Sequence, residues 1–183
     1  MIREIVLYGN PVLRKAGKQV GEVTDDVRQL ADDMVETMKD ANGVGLAAQQ
    51  VGVAVQLAIV DVSHNPDSIT CFRIDGKDAG LDEWMPLVFC NPELEFGEEK
   101  ATAEEGCLSF PEIQADITRP ESVTAGLTLL DGRRVVVETD GLLARAIQHE
   151  VDHLNGILYI DRMSRAVRTS LRGRLKRLQK GIF

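Results

Sequence analysis

Residues Gln148 to His153 read Gln-His-Glu-Val-Asp-His, and no other run in the chain concentrates as much chemistry. His149 and His153 stand four residues apart, so on a helix they lie about 40° apart around the axis and one turn apart along it, close enough for both imidazoles to reach one ion. Between them Glu150 supplies a carboxylate that can take and return a proton. Two of the chain's three histidines are spent here. A His-Glu-x-x-His run also occurs in helices whose histidines are merely well packed, so a catalytic metal needs a third ligand from elsewhere in the chain.

The element that must carry this run is a helix from about Asp140 to Asn155, with Thr139 or Asp140 as its N-cap and Asn155-Gly156 as its stop. Arg145, Gln148, Asp152 and Asn155 fall on one polar stripe. Leu142, Leu143, Ala146, Ile147 and Leu154 spread over the opposite half, which predicts burial of that half. Glu150 projects into the apolar half. A carboxylate there is costly unless a cation or a hydrogen-bond donor meets it, and a metal with its bound water would do so.

Cys107, in Glu104-Glu105-Gly106-Cys107-Leu108-Ser109, is the best candidate for the third ligand. A thiolate with two imidazoles suits Zn²⁺ or Fe²⁺ and leaves a fourth position for water. The competing reading is a Cys/His nucleophile, but Glu104 and Glu105 disfavour a free thiolate, whereas a metal creates one directly. A further unusual stretch is Gly43-Val44-Gly45-Leu46-Ala47-Ala48-Gln49-Gln50. Its paired glycines let a peptide or ligand approach the backbone, and the same residues also read as a Gly-rich helix cap and loop. It is not a phosphate loop, because the Lys-Ser/Thr ending is missing.

The remaining chain supplies the scaffold. Thr24 caps a helix carrying Val27, Leu30, Met34 and Met38 and ending near Asn42-Gly43. Val53 to Val62 predicts an interior strand, Ser63 to about Glu83 a surface excursion of loops, and Pro86 to Cys90 another strand closed by Asn91-Pro92. Val123 to Leu130 and Arg134 to Glu138 flank Asp131-Gly132 as a hairpin leading into the His149 helix. A last helix spans about 164–179, with Val167, Leu171, Leu175 and Leu178 on one face, and residues 162–183 hold eight Lys or Arg and no acid. That helix reads either as an amphipathic helix packed on the domain or as a basic handle for an anionic surface such as RNA.

Bulk properties set limits. The 183 residues, 44% hydrophobic and 27% charged, suit one globular α+β domain over 1–183, with antiparallel strands from the segments 53–62, 86–96 and 122–138 packed around the central His149 helix and an N-terminal and a C-terminal helix outside. The net charge of −8 argues against DNA as a partner. No apolar run is long enough to cross a bilayer, the start is unlike a signal peptide, and three cysteines, an odd number at 71, 90 and 107, form no disulfide framework and fit a reducing compartment, so a cytoplasmic protein is expected.

Gly43 to Gln50, Glu105 to Ser109 and His149 to His153, in that order, resemble the peptide deformylases, of the bacterial type. Tyr8 to Val20 and Asp140 to Ser164 resemble that family too, so the similarity spans most of the chain. The resemblance implies that Cys107, His149 and His153 bind the metal, that Glu150 is the acid/base, and that Gln50 and the Leu108 backbone N–H stabilise the oxyanion. It implies that Val44 and Gly45 pair with the substrate backbone. It further implies removal of formyl from the N-terminal formylmethionine of nascent peptides, commonly with Fe²⁺, and with Zn²⁺, Ni²⁺ or Co²⁺ as substitutes. Contact with the ribosome would fall to the basic last helix. One departure is the length of chain between Val62 and Asn91, where the excess at about 65–83 matches no motif. A metallopeptidase, or a non-catalytic metal-binding module, stays open as an alternative on the residues alone; Cys107 argues against the first, and the lack of a fourth protein ligand against the second.

Overall fold

The computed structural model describes residues 1–182. Its strands are β1 (Gly45–Ala47), β2 (Leu57–Val60), β3 (Phe72–Ile74), β4 (Lys77–Asp78), β5 (Leu87–Phe96), β6 (Lys100–Gly106), β7 (Gln114–Pro120), β8 (Ser122–Thr128) and β9 (Arg134–Asp140). The α-helices are α1 (Asp25–Asp40), α2 (Leu81–Trp84), α3 (Gly141–Leu154), α4 (Tyr159–Arg162) and α5 (Arg165–Gln179). Seven strands form one antiparallel sheet in the order β1-β2-β5-β8-β9-β3-β4, and β6 with β7 forms a separate hairpin. The architecture is α+β, with antiparallel sheets and several helices, as expected.

Three apolar clusters make up the core, and the first of them holds α3. Leu143, Ile147 and Leu154 pack against Phe89, Ala125 and Val137 of the large sheet, all buried. Phe110, Ile117 and Tyr159 form a second cluster, on which α5 rests through Leu175 and Leu178. Met34 and Met38 of α1 fill the third against Leu46 and Ile59, as their helical spacing predicts. Thr24 caps α1 by accepting from Val27 N–H.

Several boundaries differ from the expectation, each for a local reason. The strand expected at 53–62 is ordered as a strand only over Leu57–Val60, because the preceding backbone bonds to Lys18 instead, through Lys18 N–H to Ala54 O and Gln56 N–H to Lys18 O. β5 runs through Asn91-Pro92 because the register shifts between Cys90 and Glu93, and such a bulge accommodates a proline that has no N–H for the ladder. The 65–83 stretch is not only loop: β3 pairs with β9, and Asp75-Gly76, both at positive φ, turn the chain into β4.

Candidate active site

Asp140 sits at the N-cap position of α3, but its carboxylate accepts from Thr70 N–H at 2.8 Å and Cys71 N–H at 3.0 Å, tying the helix entry to the 65–83 stretch. The apolar half of α3 is buried as its pattern demands. The middle of the polar stripe is buried as well, with Gln148 at 4% and Asp152 at 7% exposure, because the β6–β7 hairpin bonds to both through Pro120 and Arg119, whereas Asn155 stays exposed.

The hairpin delivers the other half of the site. Cys107 follows directly on β6, and its Sγ lies 3.2 Å from His153 Nε2. One ligand atom each from Cys107, His149 and His153 lie within 4.8 Å of one another. His149 Nδ1 is 3.0 Å from Glu105 Oε2, which leaves the opposite ring nitrogen free as a ligand atom. Glu105 in turn accepts from Arg119 through Nε at 2.5 Å and Nη2 at 3.0 Å, and from Arg145 at 2.7 Å. Arg119 reaches back to Asp152 at 2.8 Å, so one guanidinium, 3% exposed, ties the hairpin to α3.

Charge follows from these contacts. Burial alone would raise the Glu105 carboxyl, but hydrogen bonds from His149 and Arg119 hold it at about 2. Burial pushes Glu150 up to about 7, and its Oε2 has no partner among the described residues. Burial also works against a charged His149, yet its hydrogen bonds to Cys107 and Glu105 raise its pKa well above the ordinary value; burial and the neighbouring His149 charge depress that of His153. A proton held in this cluster is one that an incoming metal must displace. Thiolate and two imidazoles suit a first-row divalent ion, and the unpartnered Glu150 oxygen beside them fits a site that expects one more polar group.

The remaining residues singled out in the sequence converge on the same place. Gln50 Oε1 accepts Ala47 N–H at 2.9 Å, which turns the amide nitrogen toward Cys107 Sγ at 3.5 Å and Ser109 Oγ at 3.3 Å. The Leu108 backbone N–H makes no hydrogen bond among the described residues. Val44, Gly45, Gln50, Leu108, His149 and Glu150 all line one cleft of about 640 Å³. β1 is the edge strand of the large sheet, bonded to β2 on one side only. Its other side can accept an extended peptide. Gly45 must lack a side chain here, since a Cβ would stand 2.9 Å from Glu150 Cδ.

Sequence reasoning missed the roles of Arg119 and Arg145, treated Glu105 only as a charge that disfavours a thiolate, and did not place the β6–β7 hairpin. A signal was present: Ala115, Ile117 and Arg119 alternate on the inward face of β7, and an arginine on such a face requires buried carboxylates.

A helix giving two histidines to a cluster completed by a cysteine, with a buried carboxylate beside them and an open strand edge along the cleft, defines a metallohydrolase that acts on peptides. The family model described as polypeptide deformylase matches residues 2–169. The peptide deformylase of Methylacidiphilum infernorum is 43% identical over 181 residues, covering 99% of this chain and 95% of the relative. That of Opitutus terrae is 43% identical, covering 98% and 94%. Among solved structures, peptide deformylase 1B of Arabidopsis thaliana matches with a TM-score of 0.83 at 35% identity, over 97% of this chain and 91% of that one. The Ehrlichia chaffeensis peptide deformylase matches at 0.84 and 29% identity, over 99% and 98%. The chain belongs to the polypeptide deformylase family. It is a hydrolase that removes the N-terminal formyl group from polypeptides, and the family is metal dependent.

Proposed function

We propose that Cys107, His149 and His153 hold one divalent ion, that Glu150 is the acid/base, and that Gln50 and Leu108 receive the negative charge of the reaction. The observation that carries this reading is the convergence of the three donors, within 4.8 Å of one another, beside a buried carboxylate with an unpartnered oxygen. When bound, the ion supplies Lewis acidity and makes a water acidic enough to lose a proton near neutral pH. Glu150 takes that proton, the water oxygen bonds to the formyl carbon, and the carbonyl electron pair moves onto the formyl oxygen. Gln50 Nε2–H and Leu108 N–H donate to that oxygen as its charge develops, and loss of one such donor typically costs about 3 kcal/mol of barrier. The C–N bond then breaks, Glu150 returns its proton to the amine, and formate and a free N-terminus result.

Substrate selection rests on the cleft. The peptide lies along the free edge of β1, its backbone pairing with Val44 and Gly45, and the methionine side chain enters the apolar space beside Leu142, Ala146 and Ile113. The substrates are nascent formylmethionyl chains in the cytoplasm; among the described residues no helix is long and apolar enough to cross a membrane. Residues 1–183 act as one catalytic domain. The donor set accepts Fe²⁺, the family's common metal, as well as Zn²⁺, Ni²⁺ or Co²⁺. Arg165, Arg168, Arg172 and Lys176 line one groove on α5, a cationic surface suited to contact with ribosomal RNA.

Metal analysis of Cys107→Ser alongside a product assay tests the reading. Reduced metal content with matching loss of formate and free amine from formyl-Met-Ala-Ser is expected. Full metal content in that variant would return Cys107 to the nucleophile alternative.

A further inference from the structure

On the far side of α3 from the cleft lies a second groove of about 620 Å³, nearly as large as the active-site cleft at about 640 Å³. No residue of the proposed reaction lines it. Consecutive residues of α3 divide between the two cavities: Gln148, Val151 and Asp152 face the groove, and His149 and Glu150 face the cleft.

The lining combines three features that point to one ligand chemistry. Its wall is apolar, from Leu94 and Phe96 of β5 and from Ile157, and Phe96 is left 59% exposed. Exposed apolar surface of this size inside a concavity favours an apolar ligand body. Its rim is cationic. Lys100 has no carboxylate within ion-pair distance among the described residues, and Arg162 commits Nε and Nη2 to Asp152 while its Nη1 makes no hydrogen bond. Behind it, Arg119 and Arg162 share Asp152, and Arg119 also pairs with Glu105.

The third feature is Gln148, 4% exposed. Its amide nitrogen donates to Pro120 O at 2.9 Å and Ala144 O at 3.1 Å, which fixes the orientation of the amide. Its Oε1 has no hydrogen bond among the described residues, yet it is not one of the side-chain oxygens sealed from solvent, so it opens onto the groove that Gln148 lines. With the amide nitrogen fixed, this oxygen is held ready to accept an N–H from a ligand in the groove.

We propose that this groove binds a small N-acylated amino acid with an apolar side chain. Its carboxylate sits on Arg162 and Lys100, its amide N–H donates to Gln148 Oε1, and its side chain lies against Phe96, Leu94 and Ile157. The site is distinct from the deformylation cleft and does not depend on the reaction.

Calorimetric titration of N-acetyl-L-leucine into the metal-loaded protein tests it. Expected is saturable binding with Kd of about 1 mM or tighter. N-acetyl-L-leucine amide, which lacks the carboxylate, and 4-methylpentanoate, which lacks the N–H, should each bind about 10-fold more weakly or worse. Phe96→Ser and Lys100→Glu should weaken N-acetyl-L-leucine about 10-fold while formate release from formyl-Met-Ala-Ser stays at the wild-type rate. Absence of saturation up to about 10 mM, or an analogue binding as tightly as the parent, would overturn the proposal. So would an isotherm that either variant leaves unchanged, because the ligand would then lie elsewhere, the active-site cleft included.

Discussion

Glu105 Oε2 lies 3.0 Å from His149 Nδ1, and the same carboxylate accepts both Arg119 and Arg145. A residue two positions before Cys107 therefore orients a histidine on another element. It also neutralises Arg119, which the hairpin brings inside, and Arg145 of α3.

Glu105→Ala should be costly on two counts. It strands Arg119 and Arg145 without their shared carboxylate, and removing one partner of a buried pair typically costs about 3–5 kcal/mol. It also frees the His149 ring, and loss of such a partner usually weakens metal binding about 10–100-fold. Urea denaturation and competition with a chelator read the two effects separately. Unchanged metal affinity would reduce Glu105 to a packing role.

Glu150 gives a pH-dependent prediction for the metal-free protein. Burial raises its carboxyl from 4.5 to about 7, so folding is penalised once the group would ionise. That penalty is absent below 4.5, grows through the interval and is complete above about 7, where it amounts to about 3 kcal/mol. Metal-free Glu150→Gln should match the wild type in stability at pH 4 and exceed it by about that amount at pH 8. Denaturation curves at the two pH values decide it, and equal differences at both would show that the carboxyl is not strained by burial.

Gly45→Ala places a methyl against the Glu150 carboxyl, 2.9 Å from Cδ. Overpacking of this kind costs about 1–3 kcal/mol and displaces the neighbour. Turnover of formylated peptides should fall at least about 10-fold while metal content holds. Full activity would mean that Glu150 can move aside without consequence.

Deletion after Met163 removes α5, whose Leu175 and Leu178 are 7% and 5% exposed in the second apolar cluster. Losing two buried leucines should cost about 3–5 kcal/mol, so the shortened chain should unfold at lower urea. An unchanged midpoint would assign α5 to surface recognition alone.

Much of this was legible in the sequence because period and spacing are local properties. The His149 helix, the methionine face of α1 and the Asp131-Gly132 hairpin each follow from residues within a few positions of one another. The three short segments around Gly45, Cys107 and His149 also carried enough chemistry to place the site. The β6–β7 hairpin was missed because its Phe110-Pro111 connection carries no Asn-Gly or Asp-Gly turn signal and β6 is mostly exposed polar residues. Without that hairpin the α3 polar stripe reads as solvated throughout, although the hairpin buries Gln148 and Asp152 at its middle. The Asp75-Gly76 turn was a readable signal, hidden by the surrounding polar residues.

Formate release from formyl-Met-Ala-Ser, followed for wild type and Glu150→Gln purified anaerobically with metal content measured on the same samples, tests the central claim most directly. Equal metal in both proteins, rapid release by the wild type that stops on chelation, and a loss of at least about 100-fold in the variant are predicted. Near wild-type release by a fully metal-loaded Glu150→Gln would contradict the account and remove Glu150 from proton transfer.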